Sequence, residues 1–259
     1  MIDDRFIKEK IDNAQLVLVG IGEEFDGRCF LQKIPRYICI EEELKTTPQL
    51  IWILPYVQYF FLKDNERLLH AFRALNELLK NKNYFLVTTC MNGLIDDVGL
   101  KEGRVVSPCG SFRKMQCSSP TCDHIEVTAS ELLAQMDLYI QGEITLNQIE
   151  FIRCSKCGEL LHFNSLYSEN YKESGYLDDW AIYTKWLQGT LNKQIYVIEL
   201  GVSLQFPSVI RFPFEKIAFF NQKADFIRIH ENLYQLSEEL KGKGYSQAEN
   251  AVEFLNHIP

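Results

Sequence analysis

Basic runs are absent from this sequence. Acidic residues outnumber Lys and Arg by 35 to 27, a formal net charge of −8. Nucleic-acid binding driven by phosphate contacts needs the opposite balance, so no nucleic-acid partner is expected. A long apolar run is missing too. The longest stretch, "LIWILPYVQYFFL", is interrupted by Pro55 and is too short to span a bilayer, so no membrane partner is expected. The opening "MIDDRFIKEKIDNAQ" is polar and mixed in charge, unlike a signal peptide, which leads us to expect a cytoplasmic protein. No internal repeat or low-complexity segment is visible.

What is present is a chain of 259 residues, enough for one large domain with a small insert. Apolar strands alternate with amphipathic helices. "LVLVG" (16–20), "YFLVTT" (84–89), "IYVIELG" (195–201) and "DFIRI" (225–229) read as buried strands. "NERLLHAFRALNELLKN" places Leu68, Leu69, Phe72, Leu75, Leu78 and Leu79 at helical spacing. "ASELLAQMDLYIQ" and "DDWAIYTKWLQGTL" read as helices, and "SVIRFPFEKIAFF" as one opening near Ser208. Pro55 marks a kink or break. "SQAENAVEFLNHI" predicts a final helix with a Ser-x-x-Glu capping box at Ser246 and Glu249. The alternation predicts an α/β fold with a doubly wound parallel sheet. Composition changes between Pro108 and Phe163. This divides the chain into a main domain, 1–107 and 164–259, and an inserted small module, 108–163.

Eight cysteines in a reducing compartment point to metal before disulfides. "CSSPTC" supplies Cys117 and Cys122; "CSKCG" supplies Cys154 and Cys157. Two close pairs let four thiolates converge on one tetrahedral zinc, with Gly158 giving the turn that brings backbone N–H groups toward sulfur. Such a set leaves no open position, so the zinc would be structural. The alternative is four unrelated free thiols. Cys29 and Cys39 have no partner motif and read as small buried hydrophobes.

The order of four stretches resembles the sirtuins, NAD-dependent deacylases and ADP-ribosyltransferases, and most closely their macrodomain-linked microbial class. "LVLVGIGEE" is similar to the family's Gly-Ala-Gly phosphate turn. "NYFLVTTCMNG" matches the strand that ends Thr-Thr-Asn-x-Asp. "CGSFRKMQCSSPTC" resembles the run from the catalytic loop into the first cysteine pair. "YVIELGVSLQFPSVIRFPFE" resembles the late strand, its nucleotide-contacting turn and the following helix. The resemblance implies a Rossmann-like domain of sirtuin type with a zinc insert. It places Gly20, Gly22, Thr88, Gly201 and Ser203 around NAD.

The same resemblance puts Cys90, Asn92 and Cys109 at the catalytic positions. Cys90 stands at the family's Asn, Asn92 at its Asp, and Cys109 at its catalytic His or Gln. A thiol cannot reproduce an amide's paired donor and acceptor. Cys109 can act as a nucleophile only if its pKa is depressed. Ile21 replaces the small residue of the first turn, and Glu23 and Glu24 follow it. Carboxylates beside a diphosphate repel it, by roughly 4 kcal/mol for a charge pair at about 4 Å in a surface-like dielectric. The alternative is that both turn out into solvent. Two functional readings follow. One is a degenerate sirtuin that binds or regulates, with NAD binding weak or absent. The other is an active ADP-ribosyltransferase or deacylase with altered catalytic residues. Under either, a hollow is expected to persist at the crevice, lined by Ser203 and free backbone amides. The resemblance implies a lipoyl-carrier-type protein or a macrodomain protein as partner.

Overall fold

The computed structural model describes residues 4–240 and 242–258. Its strands are β1 (Leu16–Ile21), β2 (Asn83–Thr88), β3 (Val105–Val106), β4 (Gly110–Cys117), β5 (Ile125–Val127), β6 (Leu161–Ser165), β7 (Ile195–Leu200), β8 (Ala224–Ile229) and β9 (Gly244–Gln247). Its helices are α1 (Asp4–Asn13), α2 (Arg28–Leu31), α3 (Pro35–Thr46), α4 (Leu54–Leu62), α5 (Glu66–Leu79), α6 (Ser130–Gln141), α7 (Leu177–Gln188), α8 (Arg211–Phe220) and α9 (Ala251–His257).

Six strands form one parallel sheet in the order β3-β2-β1-β7-β8-β9. Every residue of β1 and β7 is buried, which is why β1 reads as an unbroken apolar run and β7 as one broken only by Glu199. Period-two alternation still assigns the faces. Val17, Val19 and Ile21 belong to a core shared with α1, α3, α4, α5 and α9. Leu16 and Leu18 join Phe85, Val87 and residues of α7 and α8 on the opposite face. The chain is therefore doubly wound, as the alternation of elements predicts. The winding reverses between β1 and β7, where an open α/β sheet places its ligand crevice at the carboxyl ends of the strands.

Three antiparallel strands, β5-β4-β6, form the second sheet. Aromatic packing joins it to the helical layer. Trp52 stacks on His162 at 4.7 Å and meets Phe163 edge-on, and Tyr56 packs on Phe112 at 5.0 Å. Tyr56 also donates to Asp137 on α6 at 2.6 Å, and Arg36 holds the last carbonyls of α6. Burial beside this stack lowers His162 to about 4, so the ring is neutral at ordinary pH.

Three local expectations change. Ser246 lies on β9, and α9 is capped by Asn250, whose side chain accepts from the N–H groups of Val252 and Glu253. A Ser-x-x-Glu pattern cannot cap when strand pairing claims the serine; Ser246 is in register with Arg228. Cys29 and Cys39 are exposed, not buried, because they fall on the outer faces of short surface helices. Helix α8 opens at Arg211, three residues beyond Ser208, and Pro213 sits in its first turn, where the missing N–H has no helical partner to lose. Pro55 likewise starts α4, after a 3-10 turn over Pro48–Ile53.

Candidate functional site

The crevice is built by three turns, one after each of β1, β2 and β7. Backbone pairing continues past the ends of the strands. Gly22 N–H donates to Leu200 O at 2.9 Å, and Glu24 N–H donates to Gly201 O at 3.2 Å. The two glycines of the first turn make this approach possible. A Cβ on Gly22 would lie 2.3 Å from Val202 Cα, and one on Gly20 would lie 2.4 Å from Ile210 Cγ2 and 2.8 Å from the Phe214 ring. Gly20 thus admits α8 to the sheet, and Gly22 admits the turn after β7. Gly201 has φ +62, a left-handed conformation that costs an L-residue strain, and its missing side chain leaves room for Glu24. Ile21 is fully buried, facing the core shared with α5 and α9.

Neither Glu23 nor Glu24 turns out into solvent. Glu23 Oε2 accepts from Ser203 N–H at 2.8 Å, and its Oε1 accepts from the Thr89 hydroxyl at 3.1 Å. Glu24 accepts from Ala251 N–H at 2.6 Å and from Glu231 N–H at 2.9 Å, with His230 Nδ1 at 3.1 Å. Desolvation raises the Glu24 pKa, opposed by these two backbone donors. The Ser203 amide, expected to be free for a ligand, is already taken. The hollow expected here meets two carboxylates that satisfy themselves on the turn donors.

Behind them lies Asp26, which is buried and leaves Oδ1 without a hydrogen-bond partner. Burial, reinforced by the nearby charge of Glu23, pushes its carboxyl up to about 7. Cys90 bonds to Gly22 O at 3.2 Å, and its N–H is held by the Thr88 hydroxyl. Burial first, and then Asp26, pushes this thiol well above its ordinary value. Cys109 is raised to about 12 by burial, with Glu23 and Asp26 adding to it. Both thiols are free and both feel the same two carboxylates. Asn92 is buried, with its amide on Phe25 O and its carbonyl oxygen accepting from Leu94 N–H. The crevice therefore gathers Thr88, Cys90, Gly201 and Ser203 around an acidic centre. A protonated thiol is a poor nucleophile, so neither Cys90 nor Cys109 is activated here.

An ion network unforeseen in the sequence supports the β7 side. Glu199 is fully buried and receives two bonds from Arg228, at 2.7 and 2.9 Å, and one from Arg211 at 3.0 Å. Arg211 also donates to Val202 O at 2.6 Å, and so fixes the turn that carries Ser203. Glu199 in the middle of an apolar strand was the available signal, since a buried carboxylate demands a cation.

The second site is metal-binding in character. The sulfurs of Cys117, Cys122, Cys154 and Cys157 all lie within 4.8 Å of one another. Tetrahedral zinc with four thiolates at about 2.3 Å requires sulfurs about 3.8 Å apart, and the Cys122–Cys154 separation is 3.8 Å. Gly158, at φ +82, turns the second pair, and its N–H donates to Cys154 O. Although desolvation opposes it, the N–H groups of Lys156 and Cys157 bring the Cys154 thiol down to about 7. The set fits zinc, which these four residues would hold as a structural ion that pins β4 to the loop before β6.

No family model matches the chain. Among curated proteins, it is 20% identical over 265 residues to a Staphylococcus aureus "Protein ADP-ribosyltransferase", covering 91% of this chain and 80% of that one. Among solved structures, a Sir2 homologue mutant in complex with ADP-ribose superposes with a TM-score of 0.60 at 15% identity, covering 99% of this chain and 95% of that one. Sir2Tm bound to a propionylated peptide gives a TM-score of 0.55 at 13% identity, with 99% and 97% covered. A Sir2 complex with a peptide and NAD+ gives 0.56 at 12% identity, with 99% and 97% covered. With its six-stranded parallel sheet and four-cysteine metal-binding cluster, the chain has the fold of the Sir2 proteins.

Proposed function

We propose that this chain is a degenerate sirtuin-like protein that acts by binding or regulation, with NAD chemistry weak or absent. The observation that carries the reading is Glu23, whose carboxylate takes the Ser203 N–H and the Thr89 hydroxyl at the switch point. By the resemblance, the turn that carries Ser203 is the one that contacts the nucleotide. A nucleotide has to displace that carboxylate and then sit beside Asp26 and Glu24. The residues at the family's catalytic positions support the same reading. Cys90 and Cys109 are buried thiols held protonated, and Asn92 spends its side chain on the loop. The zinc held by the insert 108–163 then keeps the module folded and takes no part in chemistry. Within the sirtuins we assign it to the macrodomain-linked class, on the resemblance of its motifs alone. By that likeness the partner is a lipoyl-carrier-type protein or a macrodomain protein.

One observation favours an active enzyme: the 20% identity to a protein named as an ADP-ribosyltransferase runs through 91% of the chain. Calorimetry and thermal shift with NAD, ADP-ribose and nicotinamide separate the two. A ligand at a hundred times its dissociation constant adds about 2.7 kcal/mol. The native protein is expected to show no such shift with NAD, and Glu23→Ala to gain one with ADP-ribose. Low-micromolar NAD binding by the native chain would overturn the degenerate reading.

A further inference from the structure

On the side of the sheet away from α5, helix α8 carries an apolar face that the fold leaves uncovered. Phe220 is 75% exposed, Phe212 50% and Phe219 42%, and Leu191, in the loop after α7, is 71% exposed. Two notches flank Phe220 and Lys216. One, of about 380 Å³, lies between α7 and α8 and is floored by Leu187, Ile217 and Leu191. The other, of about 370 Å³, is lined by Phe212, Phe219 and Glu239. Side by side they make one groove across the helix. Apolar surface this concentrated marks a place where another molecule docks.

The charge around the groove says which molecule. Lys216 lines both notches. Lys193 and Lys223 are fixed at one end of the first, because Asn221, which lines it, accepts from Lys223 N–H and donates to Lys193 O. All three lysines are exposed, and none of their ammonium groups has an ion-pair partner among the described residues. The acids lie on the other notch: Glu215, paired with Arg228 at 2.7 Å, and Glu239 line the second, whereas no carboxylate lines the first. A chain of net charge −8 thus presents an apolar groove whose first notch is rimmed by lysines.

We propose that this groove receives an acidic amphipathic helix of a partner protein. Its apolar side chains, spaced one helical turn apart, fill the two notches, and its carboxylates pair with Lys193, Lys216 and Lys223. A second copy of this chain fits less well, because it brings the same lysines to the same place. The surface lies outside the crevice, so the proposal stands or falls separately from the state of the nucleotide site.

The probe is a fluorescein-labelled synthetic helix with Leu and Phe on one face and Glu at the flanking positions. A control peptide keeps the apolar face and carries Lys in place of Glu. Anisotropy with the zinc-loaded full chain is expected to show saturable binding of the acidic probe, weakening as salt rises. Binding should fall at least about tenfold on Phe220→Asp, and similarly on Lys193→Glu with Lys216→Glu and Lys223→Glu. Thermal melts of the variants are expected to match the native protein, since these side chains stand in solvent. Equal binding of the acidic and basic probes, or binding untouched by the triple lysine change, overturns the proposal. So does sedimentation showing a dimer that Phe220→Asp dissolves, because the face is then a contact between copies of this chain.

Discussion

Replacing Asp26 by Asn should stabilise the protein, and by an amount that depends on pH. Asp26 is buried, one of its oxygens lacks a partner, and its pKa is raised from 3.8 to about 7 by desolvation and by Glu23. Raising a carboxyl above its unfolded value means that the folded state holds the proton longer. The associated stability is complete below about pH 4 and is lost as pH rises through 7. At about 1.4 kcal/mol per pH unit, the loss approaches 4 kcal/mol, less whatever local relaxation recovers. His230 works in the opposite direction. Desolvation, and then Arg211, lowers it to about 4, so its contribution is present above its ordinary 6.5 and is lost as pH falls. The two slopes overlap, and a bare pH profile partly hides both. The difference between Asp26→Asn and native protein cancels His230. Urea unfolding at several pH values between about 4 and 8, on zinc-loaded samples, measures that difference. It should be smallest at the acid end, grow across the window and level off above 7. A difference that stays constant with pH would refute the argument, because a carboxyl that titrates alike in both states has no linkage.

Four further outcomes follow from the geometry. Metal analysis should find one zinc per chain, and Cys154→Ser with Cys157→Ser should abolish it and lower the melting temperature; full occupancy in that variant contradicts the site. Arg228→Met should destabilise by about 3–5 kcal/mol in chemical unfolding, because Glu199 is left buried with a diminished set of cations. A near-neutral result would mean that Arg211 alone suffices. In zinc-loaded protein at neutral pH, a thiol reagent should modify exposed Cys29 and Cys39 quickly and leave Cys90 and Cys109 untouched, as peptide mass mapping would show. Mild peroxide should likewise produce no Cys90–Cys109 cross-link while zinc is retained, since both thiols are held protonated.

The four central strands were legible, and the short edge strands β3 and β9 were not, because burial on both faces leaves a plain signature that an edge strand lacks. Each residue of β1 must be apolar or glycine, and "LVLVGI" says so directly. The four metal-binding cysteines were legible for a similar reason, since their spacing is local. Contacts that close over long distances were not. Glu23 looked like a charge in the way of a phosphate, and nothing near it in sequence announces that Ser203 N–H, 180 residues on, satisfies it. Ser246 and Glu249 make a well-formed capping pattern that β9 overrides, since pairing with β8 outweighs a cap. Cys29 and Cys39 failed for a subtler reason: a cysteine's usual burial is a statistical habit, and helix phase decides the individual case.

Glu24 joins the first turn of the sheet to the amide of Ala251, a span of 227 residues. During synthesis this has a consequence for timing. The first strand leaves the ribosome early, yet its neighbour β7 and the donor for its turn are made much later. The turn must therefore wait, with a carboxylate lacking its final partners, until the segment that carries Ala251 has been translated. Distance alone is a modest obstacle, because a tenfold longer loop costs only about 2 kcal/mol more to close. The heavier burden is exposure of an apolar central strand in the interval. The pieces able to cover β1 in that interval are β2, which pairs with it, and α5, which shares its core, since both are made before β7.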